Sequence, residues 1–155
     1  MAATQQANDL AAFIVQRLGR IETLKLQKLL YYCNAWNLAL RGRPMFPDQI
    51  EAWKHGPVIS SIYTMHRKET SVDSWEAGDA TRVSMPDQDL ATAVINLYGA
   101  RSGWALRNLT HKEDPWMAAW DRCGHGERYG EVITEDEMGA YYRARISAKE
   151  ESGNG

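Results

Sequence analysis

Residues 23–41, TLKLQKLLYYCNAWNLALR, constrain this chain more than any other stretch. Leu26, Leu29, Leu30, Cys33, Trp36 and Leu40 recur at three- and four-residue steps, the spacing that lines one side of an α-helix. Leu24, Tyr32 and Leu38 widen that stripe, so the helix is expected to be central and largely buried. Thr23 is placed to cap its start, and Gly42 with Pro44 to end it. A chain of 155 residues is long enough to wrap such a helix in a real core.

The remaining sequence supplies the wrapping. An N-terminal helix reads from Asn8 or Asp9 to Leu18, with Leu10, Phe13, Ile14 and Leu18 inward and Gly19 as its stop. Met45–Phe46 and Ile50–Trp53 read as a short hairpin about the turn at Pro47-Asp48. Gly56-Pro57 then reads as the opening of a helix with Val58, Ile59, Ile62 and Met65 inward, because proline is preset for the first helical position. Residues 69–86, ETSVDSWEAGDATRVSMP, have no period and read as a loop. Further helices are read over 87–98 (Leu90, Val94 and Leu97 inward), from Ser102 (Leu106 and Leu109), and from Asp114-Pro115 (Trp116 and Trp120 on one face). Thr134 with Glu137 forms a capping box for a last helix bearing Met138, Tyr141, Tyr142 and Ile146, and the tail AKEESGNG reads as frayed. The expected fold is mainly α: a compact single-domain bundle of about seven helices over 1–155, with its ordered core roughly 8–148 and a short β-hairpin near residues 45–53.

Function classes narrow by elimination. A net charge of -2 does not fit a protein dominated by phosphate contacts. No apolar run approaches the roughly 18–20 residues of a membrane span, and MAATQQANDL lacks the features of a signal peptide. Two cysteines make no disulfide framework, so a reduced, cytoplasmic setting is expected. His55, His66, His111 and His125 are scattered, and Cys123 with His125 offers two ligands where zinc needs three or four. Cys33 lies on an apolar stripe, where thiols are inert. GHGERYG lacks the Lys-Ser/Thr of a phosphate loop. Glu113-Asp114 and Glu135-Asp136-Glu137 sit at helix starts, where acids complement the dipole. No catalytic residue, metal ligand or cofactor is therefore expected. A helix-turn-helix over 87–110, with Arg101, Arg107 and Lys112 and no acid between Gly99 and Lys112, gives a DNA-binding regulator as the alternative.

Read in order, LKLQKLLYYCNAWNLALRGRPMF, IEAWKHGPVISSIY and LTHKEDPW resemble the Panacea domain, the SocA-like antitoxin and phage-associated family, over roughly residues 9 to 146. That resemblance implies a mainly helical domain with a small β element. It also implies an antitoxin, often carried by prophages, that silences a cognate toxin by direct contact. The signature positions are Lys25, Leu26, Gln27 and Lys28; Glu51, Ala52 and Trp53; Gly56, Pro57 and Val58; Leu109, Thr110, His111, Pro115 and Trp116. Of these, Lys28, Gly56, Pro57, Thr110, Pro115 and Trp116 are read as mostly structural. Trp53, Lys54, His55, Trp75, Trp104 and His111 are the candidates for partner contact, Trp75 because a solvated loop gains nothing from a free indole. The toxin is the expected partner, with a host factor or protease, or promoter DNA, as alternatives; no membrane or small-molecule substrate is expected.

Overall fold

The width of the central stripe sets the architecture. The computed structural model describes residues 2–123 and 130–153, with side chains as far as residue 148. In it α2 (Thr23–Arg41) is the buried axis, with Leu26, Leu29, Leu30, Tyr31, Tyr32 and Cys33 fully enclosed. Helices α1 (Gln5–Leu18), α4 (Met85–Tyr98), α5 (Gly103–Thr110) and α7 (Glu135–Gly153) pack directly on it, while α3 (Ser60–His66) and α6 (Asp114–Arg122) close the bundle. Two antiparallel ladders complete the fold: β1 (Ile21–Glu22) with β4 (Ser71–Val72), and β2 (Ile50–Trp53) with β3 (Gly56–Ile59). The fold is mainly α, as the sequence predicts. Among the described residues no helix is long and apolar enough to cross a membrane.

The hairpin lies one step later than expected. Met45 and Phe46 form no strand; their N–H groups donate instead to Asn34 Oδ1 on α2, at 2.7 and 3.3 Å. β2 pairs forward with β3 in the register Trp53↔Gly56 and Ala52↔Pro57, leaving Lys54-His55 as a two-residue turn. Gly56-Pro57 therefore belongs to a strand, and α3 begins only at Ser60. Proline is tolerated there because Ala52 and Pro57 form a pair whose main-chain groups point away from each other. Ala52 accordingly donates its N–H outward to the Glu131 carbonyl, at 2.9 Å.

Other boundaries move for local reasons. α1 starts at Gln5, because Thr4 caps it through the Ala7 N–H (3.2 Å), which places Asn8 and Asp9 inside the helix and buried. Leu40, Met65 and Leu97, expected inward, are exposed; each lies in the last turn of its helix. Residues 69–86 contain β4 and a short 3-10 turn at Ala80–Arg82. The Thr134–Glu137 capping box forms, with reciprocal bonds of 3.0 and 3.1 Å, and α7 runs through Gly153, so the segment read as a frayed tail is helical that far. The glycine-rich stretch at 124–129, with His125, lies outside the described residues.

Candidate functional site

The signature residues, far apart in sequence, meet around the β2–β3 turn. The outer edge of β3 needs partners for its main-chain groups, and α2 provides them with side chains. Gln27 accepts the Ile59 N–H at 2.8 Å and donates to the Ile59 carbonyl at 3.3 Å and to His66 Nε2 at 2.9 Å. Lys28 donates to the Pro57 carbonyl at 2.9 Å. The pair Gln27-Lys28 thus takes the place of a neighbouring strand.

Lys28 is fully buried, and among the described residues its ammonium finds that single acceptor and no carboxylate. Burial, with the Arg107 charge adding to it, lowers its pKa from 10.5 to about 7. Gly56 is required above it. Its φ is +109°, and a Cβ there would lie 2.6 Å from Lys28 Cε and 2.9 Å from Thr110 Oγ1. Thr110 donates back to the Arg107 carbonyl at 2.7 Å, closing the last turn of α5.

Over this buried base sits an exposed one. Trp104, 54% exposed, lies on the outer face of α5 with the Arg107 guanidinium over its ring (4.5 Å from the centroid) and the His55 ring 5.7 Å away. Arg107 Nε donates to His55 Nδ1 at 3.4 Å and its Nη1 to Asn108 Oδ1 at 2.9 Å. On the other side, His111 stacks on Trp116 (3.8 Å, 9°) and Trp116 on Trp120 (5.4 Å, 13°), while Trp116 Nε1 donates to the Trp53 carbonyl at 2.8 Å. Pro115 is buried at the start of α6 and sets Trp116 in place. Trp53 rests edge-on against Tyr63 and donates to Glu51 Oε1 at 2.9 Å.

The electrostatics of this corner are one-sided. Burial first, and then Arg107, Lys54 and Lys28, lower the pKa of His55. His111 falls to about 4 through burial and then the same Arg107 and Lys28 charges, and its Nε2 is buried with no partner among the described residues. Both rings are neutral at pH 7 under a positive field.

Trp53, Lys54, His55, Trp104 and His111 are thus gathered at one corner with Lys28, Gly56, Pro57, Thr110, Pro115 and Trp116. Trp75 is not with them. It is 9% exposed and docks on α1, donating to Asn8 Oδ1 at 2.9 Å, while Asp9 Oδ1 accepts the Asp79 N–H at 2.9 Å. The loop has a docking place for its indole on its own chain, so the premise of a free ring fails. Trp75→Ala is expected to lower stability by about 3 kcal/mol, read as a lower urea midpoint; a loss under 0.5 kcal/mol would return Trp75 to the list of free anchors.

Two residues escape the sequence reading. Arg107 counts there only as DNA-facing charge; the Trp104–Arg107 spacing of three on a helix was the available signal. Glu113, read as a helix-start acid, turns inward and accepts from Tyr32 and Tyr142. As for the helix-turn-helix, Gly103, Leu106 and Thr110 face the core, which leaves Trp104, Ala105 and Asn108 as the outward surface of α5. Among the described residues no group of three His, Cys, Asp or Glu side chains is placed to hold a metal.

This corner, from Lys28 to Trp116, falls almost wholly within one family match. The sequence model of the SocA-like antitoxin, Panacea domain family matches residues 26–117, more than half of the chain. The chain belongs to that family. One relative is Antitoxin SocA of Caulobacter vibrioides (strain NA1000 / CB15N), 46% identical over 43 residues. That match covers 28% of this Panacea-domain chain and 23% of the relative's length. No solved structure matches the chain.

Proposed function

We propose that this chain is the antitoxin of a toxin–antitoxin pair and silences its toxin by covering it, without transforming a small molecule. The observation that carries the reading is membership of the SocA-like antitoxin family across residues 26–117. A relative named Antitoxin SocA adds to it over a shorter stretch. The candidate contact surface is the corner of exposed Lys54, His55 and Trp104 with half-buried Arg107, backed by the Lys28–Gly56–Thr110 layer.

Neutralising a toxin at nanomolar levels takes about -12 kcal/mol. Interfaces of that strength commonly bury on the order of 1,600 Å², with a few Trp, Tyr or Arg residues dominating. Trp104 and Arg107 have that chemistry, and the half-exposed indole is held in place before any partner arrives. The reading is tested by co-expressing the gene with its genomic neighbour. Rescue of growth from the neighbour's toxicity, followed by co-purification of the two proteins, supports it; toxicity unaffected by co-expression overturns it. With the partner in hand, Trp104→Ala is expected to weaken binding by about 2 kcal/mol or more. Its cost in stability should be within about 0.5 kcal/mol, as for an exposed site.

A further inference from the structure

The described arginines outside this corner that form ion pairs do so with a carboxylate: Arg20 with Asp73, Arg41 with Asp87, Arg82 with Asp79 and Arg122 with Glu137. Among the described residues Arg107 forms no such pair. In that it is like Arg17, Arg143 and Arg145, whose partners are the Thr92 hydroxyl, the Leu38 and Ala39 carbonyls and the Tyr141 hydroxyl. What sets Arg107 apart is the company of Lys54 and Lys28 at His55. Its side-chain partners are the neutral His55 ring and the Asn108 amide. Three carboxylates have partners of their own: Glu51 accepts from Trp53, Glu22 faces the Gly103 N–H (3.4 Å), and Glu113 is buried among tyrosines. The charged groups acting on His55 are Arg107, Lys54 and Lys28, all cations. A surface that sets Arg107 and Lys54 around His55, beside a half-exposed indole, is complementary to an anion with an apolar neighbour.

We propose that the corner formed by the Trp53–Gly56 turn and α5 receives an acidic segment of a protein partner, an Asp or Glu carboxylate meeting Arg107 and Lys54 while an adjoining apolar side chain lies against Trp104. This deepens the antitoxin reading by naming the chemistry of the segment that the toxin presents. Arg107 can meet a carboxylate through two parallel N–H donors. Lys54, at the exposed tip of the turn, adds a second charge. A nucleic-acid backbone is the weaker occupant. Duplex binding draws on several phosphate contacts at once, whereas the chain carries a net charge of -2 and this corner offers few exposed cations beside a large apolar ring.

The test needs no toxin, so its failure is separate from failure of the antitoxin reading. The full chain is immobilised and panned with a phage library of random dodecapeptides. An enriched peptide is then titrated by fluorescence anisotropy at 50 and 300 mM NaCl, and a labelled 20-base-pair duplex is run beside it. The expected result is enrichment of Asp or Glu next to Leu, Phe or Trp. Affinity should fall at least tenfold in Lys54→Glu/Arg107→Glu, change less than twofold in the distant Arg20→Glu, and weaken at the higher salt. Lys54→Glu alone, at an exposed turn position, covers the case in which the double variant does not fold; there a threefold loss is expected. No enrichment, enrichment without acidic residues, or equal binding to the charge-reversed variants overturns the proposal. So does duplex binding that the same variants abolish.

Discussion

Lys28→Met should make the fold more resistant to denaturant. A lysine whose pKa drops from 10.5 to about 7 on folding costs about 5 kcal/mol when both states are charged. Methionine has nearly the same length and volume and carries no charge to desolvate. What it forfeits is the bond to the Pro57 carbonyl, and a buried carbonyl left bare costs about 1–3 kcal/mol. The balance favours the variant by about 2 kcal/mol, or roughly 1 M in urea midpoint. Breaking a buried ion pair does the opposite, because it strands a charge; among the described residues Lys28 has no carboxylate to strand.

The same residue dictates a pH dependence. Between the folded value near 7 and the unfolded value of 10.5, the unfolded chain holds more protons at Lys28, so stability rises with pH and flattens below about 7. Above about 9 the buried Cys33 thiol, and then the Tyr31, Tyr32 and Tyr142 hydroxyls, reverse the trend. Burial raises all of them, so the folded state resists their ionisation. Wild type should therefore gain about 2 kcal/mol from pH 7 to 9, and Lys28→Met should lose that slope. The variant should also bind the acidic peptide more weakly, since Lys28 contributes to the field at His55. A variant less stable than wild type by more than 1 kcal/mol, or one that keeps the slope, would mean that Lys28 is stabilised by something other than the Pro57 carbonyl.

What the sequence reveals of this fold divides along the range of the interactions. Signals that act within one helix are largely legible: the α2 stripe from Leu26 to Cys33, the Ser102 cap and the Thr134–Glu137 box form where the spacing puts them. Leu40, at the far end of that stripe, is exposed, and Thr23, read as the cap, is the first helical residue after Glu22. Long-range pairings are not legible. Gly56-Pro57 suits a helix start and an extended strand equally well by local preference. The strand wins because Gln27 and Lys28, about thirty residues earlier, satisfy its outer edge. Trp75 was legible as a ring that must dock, but not as one that docks on Asn8. The corner itself was half legible. The family signature singled out Lys28, Gly56, Thr110 and His111, yet Arg107, whose charge adds to burial in lowering the pKa values of Lys28 and His111, lies outside it.

Glu113→Ala should cost about 2–4 kcal/mol and loosen α7 before the rest of the molecule. Oε1 of this buried carboxylate accepts from Tyr32 on α2 at 2.7 Å and from Tyr142 on α7 at 2.9 Å, and Tyr142 lies 3.0 Å from the Tyr31 hydroxyl. One side chain at the start of α6 thus ties together the two helices that form the core seam. In the alanine variant Tyr142 can turn its O–H to Tyr31, but Tyr32 loses its acceptor, at about 1–3 kcal/mol, and the vacated volume adds about 1–2 kcal/mol. Relief of the desolvated charge offsets part of this. Glu113→Gln keeps an acceptor oxygen in place and should stay within about 1 kcal/mol of wild type at pH 7. The two are separated further by pH. Burial raises the Glu113 pKa, so its favourable contribution is complete below the unfolded value of 4.5 and is lost as pH rises through the folded value. His66 and His111, whose pKa values burial lowers, act oppositely below 6.5, but they are common to both proteins. Wild type should therefore gain on Glu113→Gln as pH falls from 7 toward 4.5. Hydrogen exchange along α7 should quicken in the alanine variant and not in the glutamine variant; equal protection in both would place the seam's hold in ring packing alone.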